Sequence, residues 1–483
     1  MTEPIKEKAI KGTLWNATGN LSVYGFEFVI GIILARLLTP EEFGLIGAIM
    51  VFIGLSQIFV RGGFSQALIR KKECTVQDYS TAFIFNLITA IVFFLILYVT
   101  AKPISIFLNN PDLEPLVQVL GIGLIIGSLS LVQSADLSRQ INFKAKSKIL
   151  IFSSLISGVS AVVMAFYGFG VWSLVGKNLL KHFTSTILYW CYGKWHLVLC
   201  FSNKSFKELF GFGYKLLLSG LIDTLFKNAN YLIIAKFLSA PDLGFFTRAE
   251  MFRNLASNNV SSVITAVGYP VMAKFQDEAE QLKNIFRRIF TLLFFVISIL
   301  MVGIAASAEA MILSLVGDQW VKSIFMLQLL SIAGVFIPLN SLSANLLNVV
   351  GRSDIYLRLQ LVSQLLTIPN IFLTIFWGID ALIVGIIIKA ALMYVVFYSK
   401  AVKVHNYSFK EQIKDIKPTL LLLTVLFCSV FSISYLGINN YYIVFGLQVI
   451  VGVSVVVVAS ELIKLNEYML LKNIVKDKLG IGA

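Results

Sequence analysis

Charged and polar residues recur at helical spacing inside stretches that are otherwise apolar, and they carry most of the chemical content of this chain. Lys215, Ser219, Asp223, Lys227 and Asn230 follow one another at steps of three or four, which puts them on one stripe of a helix. A second stripe holds Glu250, Arg253, Asn254, Ser257, Asn258 and Ser261, with Arg248 shortly before it. Gln57 and Arg61 share an earlier apolar stretch, and Asn16, Asn20, Glu27 and Arg36 share the first. An ionisable side chain at the centre of a membrane helix costs about 2.5–3.5 kcal/mol on insertion scales, so such groups face a bundle interior or a water-filled cavity. The cations Arg61, Lys215, Lys227, Arg248 and Arg253 outnumber the anions Glu27, Asp223 and Glu250. Guanidinium groups grip phosphate through paired hydrogen bonds, so the chemistry on offer is recognition of an anion.

A structural reading of the same residues stays open. Asp223 and Lys227 stand four apart and can neutralise each other, and Arg36 and Lys236 can snorkel to the interface. Lys177, Lys181 and Lys389 either reach a cavity or mark its inner rim. Ser341, Asn345 and Asn348 form a polar face that interhelical hydrogen bonds explain equally well. The three histidines, His182, His196 and His405, form no ligand spacing with the four cysteines or with carboxylates, so no metal or cofactor is expected. There is no Walker-type phosphate loop, and Gly211-Phe212-Gly213 and Gly121-Ile122-Gly123 read as packing points in helices.

The elements that carry these residues are membrane helices. Of 483 residues 57% are hydrophobic and 14% charged, against roughly a quarter charged in a soluble domain. Apolar runs long enough to cross a ~30 Å hydrocarbon core read as spans 13–37, 43–64, 79–101, 115–138, 147–167, 170–192, 211–238, 244–273, 288–308, 324–349, 355–377, 379–400, 418–436 and 440–461. Lys6, Lys8 and Lys11 precede the first run, which leads into Thr39-Pro40-Glu41-Glu42 with no small-residue cleavage site, so it reads as a retained helix. With both termini cytoplasmic, basic residues crowd the inner segments, while the outer loops hold only Lys102 and Lys322. That asymmetry is the positive-inside pattern. It accounts for the net charge of +14 without a nucleic-acid partner.

An internal repeat organises the spans. Ile33–Gly44 (ILARLLTPEEFG) aligns with Ile233–Gly244 (IIAKFLSAPDLG), pairing Arg36 with Lys236, Thr39 with Ser239, Glu42 with Asp242 and Gly44 with Gly244. Thr39 with Glu42 spells a capping box that starts the second span. A shorter echo pairs Gly170–Leu174 with Gly378–Leu382. The expected architecture is all-α, about fourteen transmembrane helices as two parallel six-helix repeats plus a C-terminal pair, with a substrate path between the repeats. The boundaries are residues 1–200 for helices 1–6, 201–405 for helices 7–12, and 406–483 for the last pair and a tail.

LARLLTPEEFGLIGAIMVFIGLSQIF (34–59), GFGVWSLV (168–175), FFTRAEMFRN (245–254) and GDQW (317–320) resemble Wzx-type polysaccharide flippases of the multidrug/oligosaccharidyl-lipid/polysaccharide exporter superfamily, nearest the colanic-acid or teichuronic-acid exporter type. The resemblance implies a MATE-like fold of two lobes and alternating access, and a cargo of undecaprenyl-pyrophosphate-linked oligosaccharide carried to the outer leaflet of the bacterial inner membrane. It implies cavity arginines that correspond by place to Arg36, Arg61, Arg248 and Arg253. It also implies work alongside the glycosyltransferases and polymerase of the same pathway. Two other functions compete. One is a cation-coupled drug antiporter of the same superfamily, with Glu27 or Asp223 as the ion site, against which a net-positive cavity argues. The other is a membrane glycan polymerase or ligase, against which the short outer loops argue.

Overall fold

The computed structural model describes residues 3–193, 195, 198–405 and 407–479, and all of its regular secondary structure is helical. The side chains of Lys6, Lys8, Lys11, Asn16 and His405, and all of His196, lie outside the described residues. The chain divides into two compact units, Met1–Gly244 and Phe245–Ala483.

The first unit contains α1 (Glu3–Leu37), α2 (Pro40–Arg61), α3 (Phe64–Arg70), α4 (Val76–Phe107), α5 (Leu113–Ser128), α6 (Leu131–Arg139), α7 (Phe143–Phe166), α8 (Trp172–Tyr192) and α9 (Asn203–Phe237), with the first residues of α10 (Ala240–Val263). Its helices pack in pairs: α1 on α7, α7 on α8, α4 on α5, α5 on α8 and α2 on α9. Small residues permit these approaches, as membrane helices lack a hydrophobic drive toward each other. Gly19 of α1 lies against Ser147 of α7, whose hydroxyl donates to the Trp15 carbonyl at 2.8 Å.

The second unit continues α10 through a π-helical turn, Ile264–Gly268, into α11 (Tyr269–Lys274), followed by α12 (Ala279–Ala306), α13 (Ala308–Leu315), α14 (Lys322–Val349), α15 (Ser353–Leu365), α16 (Thr367–His405), α17 (Phe409–Ser432), α18 (Tyr441–Ile463) and α19 (Asn466–Leu479). Here α12 is the hub, packed on both α14 and α17. Its buried Phe286, Phe290 and Phe294 stack along one face against Leu339, Leu342 and Tyr407.

The capping box predicted at Thr39 is present: Glu42 Oε2 accepts from the Thr39 amide at 2.6 Å, and Thr39 Oγ1 accepts from the Glu42 amide at 3.4 Å. Its repeat partner is built alike, with Ser239 Oγ donating to Asp242 Oδ2 at 2.6 Å and accepting from the Asp242 amide at 3.2 Å. The shorter echo also has a backbone basis. Gly170 lies in the α7–α8 connection at φ +55°, and Gly378 interrupts α16 at φ +78°, a conformation that costs other residues energy.

Among the described residues, 11 helices are long and apolar enough to cross a membrane. The run 353–402 counts once among them although Gly378 breaks it. Neither α8 nor α10 qualifies, because Lys177, Lys181 and His182 of α8 and Arg248, Glu250 and Arg253 of α10 lower their hydropathy. Of the two helices that bear the polar stripes, α10 falls short and α9 still qualifies. Elsewhere the apolar surface is turned outward: Val449, Ile450, Val453, Val457 and Val458 of α18 are exposed, as suits contact with acyl chains.

Candidate functional site: polar clusters within the two units

In the first unit, the last turn of α2 carries Gln57 and Arg61 to the wall of a pocket of about 170 Å³, completed by Ser128, Ser130, Ser134, His182 and Tyr189 from α5, α6, α8 and the α5–α6 turn. Arg61 is exposed to this space. The pocket forms where the apolar run 115–138 breaks, between Ser128 and Leu131, so that serines from both sides of the break line it. The Arg61 guanidinium and the Gln57 carboxamide present donors to an oxyanion, while the hydroxyls of Ser128 and Ser130 donate to the carbonyls of Ile125 and Gly127 at 2.7 and 2.9 Å, and no carboxylate is among the residues of the wall.

A second cluster holds Glu27. Its carboxylate lies between two lysines of α8, with Lys177 Nζ at 2.5 Å and Lys181 Nζ at 2.8 Å. One acid against two bases leaves the cluster cationic. Glu27→Gln would leave two ammonium groups one helical turn apart without their counter-ion, so the amount of protein in the membrane should fall several-fold. Adding Lys181→Met should restore much of it, as read by immunoblot. Unchanged levels in the single variant would mean that the three groups contribute little to folding.

Asp223 and Lys227 pair with each other at 2.7 Å, the structural alternative that their spacing allowed. Lys227 is 72% exposed, so this pair holds the helix together only weakly. Lys215 is exposed, with its ammonium 5.9 Å from the Tyr214 ring centroid, and Arg36 is exposed at the end of α1.

In the second unit, Arg253 is 6% exposed. Its Nη2 donates to Glu250 Oε1 at 2.5 Å and to Asn254 Oδ1 at 2.8 Å. Ser257 is buried and donates to the Gly334 carbonyl of α14 at 2.9 Å, while Asn258 is exposed. Arg248, 3% exposed, lays its guanidinium 4.9 Å from the ring centroid of Trp320, the tryptophan of GDQW. Lys389 donates to Thr367 Oγ1 at 2.7 Å within α16, and Asn345 to Thr265 Oγ1 at 3.2 Å.

The stripes therefore resolve into separate groups. Gln57 and Arg61 line one pocket, Glu27 joins lysines that had carried little weight, and Glu250, Arg253 and Asn254 bind one another. His182 and the three serines were missed: a lone histidine has no spacing signal, and serine is common in membrane helices. Glu27 did hold a clue, since an acid in the middle of an apolar helix needs a basic partner, and Lys177 and Lys181 lie one turn apart on α8.

Comparison with known proteins places the chain in a family. The profile of the family described as "Polysaccharide biosynthesis protein" matches residues 33–325, and the chain belongs to it. Among its relatives, the teichuronic acid biosynthesis protein TuaB of Bacillus subtilis (strain 168) is 26% identical over 353 residues, 73% of each chain. The lipopolysaccharide biosynthesis protein WzxC of Escherichia coli (strain K12) is 25% identical over 371 residues, 76% of this chain and 75% of that one. Among solved structures, the lipid II flippase MurJ in an inward closed conformation superposes with a TM-score of 0.72 at 14% identity, covering 94% of this chain and 98% of that one. An inward-facing multidrug resistance MATE family transporter of the MOP superfamily gives 0.60 at 15% identity, covering 80% and 96%. These structural likenesses are likenesses of fold: the chain is a multi-pass, all-helical membrane protein with the transporter fold of that superfamily. The resemblance read from residues 34–59, 168–175, 245–254 and 317–320 is borne out.

Proposed function

We propose that the chain is a flippase that moves oligosaccharide units, linked through pyrophosphate to an undecaprenyl lipid, from the cytoplasmic to the outer leaflet of the bacterial inner membrane for surface-polysaccharide synthesis. The observation that carries this reading is the pocket at the last turn of α2, where Arg61, Gln57, His182 and three serines converge. By the positive-inside reading this end of α2 faces the cytoplasm, where the cargo's charged headgroup lies. A space of about 170 Å³ suits a phosphoryl group and not a sugar chain. Glu27 with its two lysines adds a second cationic group in the same unit.

The energetics favour export without nucleotide hydrolysis. Moving two negative charges out of a negative-inside cell releases roughly 4–5 kcal/mol at 100 mV. The chain then acts as a transporter and not an enzyme, with about fourteen spans once α8, α10 and both halves of the Gly378-broken run are counted. It has cytoplasmic termini and an alternating-access cycle between two repeats. Its partners are the lipid-linked anion, the surrounding lipid, and the glycosyltransferases and polymerase that precede and follow it.

The MATE likeness favours a drug antiporter as a second reading. The two acids available for coupling, Glu27 and Asp223, are both ion-paired, which argues against it. The test is reconstitution. Vesicles holding the purified chain should carry a lipid-linked oligosaccharide between leaflets, measured by its exposure to an impermeant glycosidase. Cargo that stays in its leaflet, while the same vesicles expel a cationic drug, contradicts the proposal.

A further inference from the structure

Helix α2 meets the consecutive helices α9 and α10 backbone to backbone at two places, one in its first turn, against the first turn of α10, and one just past its last turn, against α9. At one end, a Cβ on Gly44 would overlap the Ala240 carbonyl, and a Cβ on Gly244 would overlap the Pro40 carbonyl. These are equivalent positions of the repeat, Pro40 with Ala240 and Gly44 with Gly244, so the crossing is reciprocal. At the other end, a Cβ on Gly63 would overlap the Gly213 backbone, and one on Gly213 would overlap the Gly62 carbonyl. An ion pair reinforces this second crossing: Lys71 Nζ reaches Glu208 Oε2 at 2.8 Å and Asp78 Oδ1 at 3.0 Å. Burial works against the Lys71 charge, but these hydrogen bonds outweigh it and raise its pKa. Between the crossings the helices are held apart by side chains: a Cβ on Gly54 would lie 3.8 Å from Thr224 Cγ2, and one on Gly220 would lie 3.6 Å from Ile58 Cγ2, both ordinary contacts.

Gly44 and Gly63 are separated by about 28 Å of helix at 1.5 Å per residue, close to the ~30 Å hydrocarbon thickness. We infer that the two crossings are separate clamps on the seam between α2 and the α9–α10 pair, the α10 contact sealing its outer end and the α9 contact its inner end. The mechanics follow from short-range contact. Backbone-to-backbone packing tolerates no side chain, so an added methyl group pries that end apart. A stiff 22-residue helix held at its far end then pivots and does not simply separate. Gly44 and Gly213 both lie in regular helix, so alanine there adds bulk alone, whereas Gly63 at φ +72° would add backbone strain. That the clamps act as gates rests on the transporter reading; their existence as separable contacts does not.

The test uses a variant with Cys74, Cys191, Cys200 and Cys428 changed to serine and a T224C reporter placed between the clamps. An impermeant maleimide is applied to spheroplasts and to inside-out vesicles. G44A should raise labelling from the outer face several-fold and leave it unchanged or lower from the inner face. G213A should do the reverse. E208Q adds no bulk and loosens the inner clamp alone, so it should match G213A. Shifts in the same direction for G44A and G213A, or none at normal protein levels, overturn the inference. If the glycine variants do not accumulate, E208Q decides: no rise from the inner face overturns it. Cargo plays no part in labelling, so opposite shifts in a protein that moves no lipid-linked oligosaccharide would uphold the clamps and sink the proposed cargo.

Discussion

Cells that carry R61A in place of the wild-type chain should export roughly ten- to a hundredfold less surface polysaccharide while keeping a normal amount of the protein in the membrane. The magnitude follows from losing hydrogen bonds to a charged group, worth about 1.5–3 kcal/mol. The unchanged protein level follows from exposure: Arg61 faces its pocket and takes part in no ion pair among those described, so its removal leaves no buried charge stranded. Lysine at the same position keeps the charge but loses the fork geometry, and should restore output only in part. Full export by R61A would remove the pocket from the account.

R253A should behave in the opposite way. Arg253 is buried and satisfies Glu250 and Asn254 from its own helix. Its loss takes the guanidinium from a half-buried carboxylate, and breaking such a pair costs about 3–5 kcal/mol. Against a total stability of about 5–15 kcal/mol, that should sharply reduce the monodisperse peak in fluorescence-detected size exclusion. E250Q added to R253A should recover part of the yield, because it removes the negative charge that Arg253 had balanced. A single variant at full yield that nonetheless fails to export would make Arg253 a cargo contact and not a structural one.

These two arginines show where sequence stops being informative. Both sit in polar stripes, and helical spacing correctly puts each on one face with its neighbours. Spacing does not say what that face meets. Arg61 meets a pocket because the chain breaks at Leu129 and Ser130 on neighbouring elements, whereas Arg253 meets an acid three residues before it on its own helix. Glu27 illustrates the same limit. Lys227 occupies the matching place in the repeat, but Glu27 takes Lys177 and Lys181 because α1 packs on α7 and α7 on α8, and pairwise packing is not written in one helix's periodicity.

Local signals fared better. The capping box at Thr39, its echo at Ser239 and the glycine break at 378 each depend on residues within a few positions of one another, and each is present. The repeat was legible for the same reason, although its consequence, glycines of one copy seated on carbonyls of the other, emerges only from the packed helices. The eighth span reads as one apolar run, 244–273, yet it turns π-helical at Ile264–Gly268 before α11. No residue there breaks a helix by type, since Pro270 sits in the first turn of α11, where proline is tolerated.

The central claim is that the chain carries a lipid-linked anion down its electrical gradient. It is tested most directly in vesicles bearing the purified protein under an imposed potassium diffusion potential, with two cargoes that differ only in the headgroup: a pyrophosphate-linked oligosaccharide and an uncharged ether-linked analogue. The account predicts transfer of the pyrophosphate cargo toward the positive side, several-fold faster at about 100 mV than at zero potential, and little transfer of the neutral one. Equal transfer of both cargoes, or a rate indifferent to the potential, would contradict it.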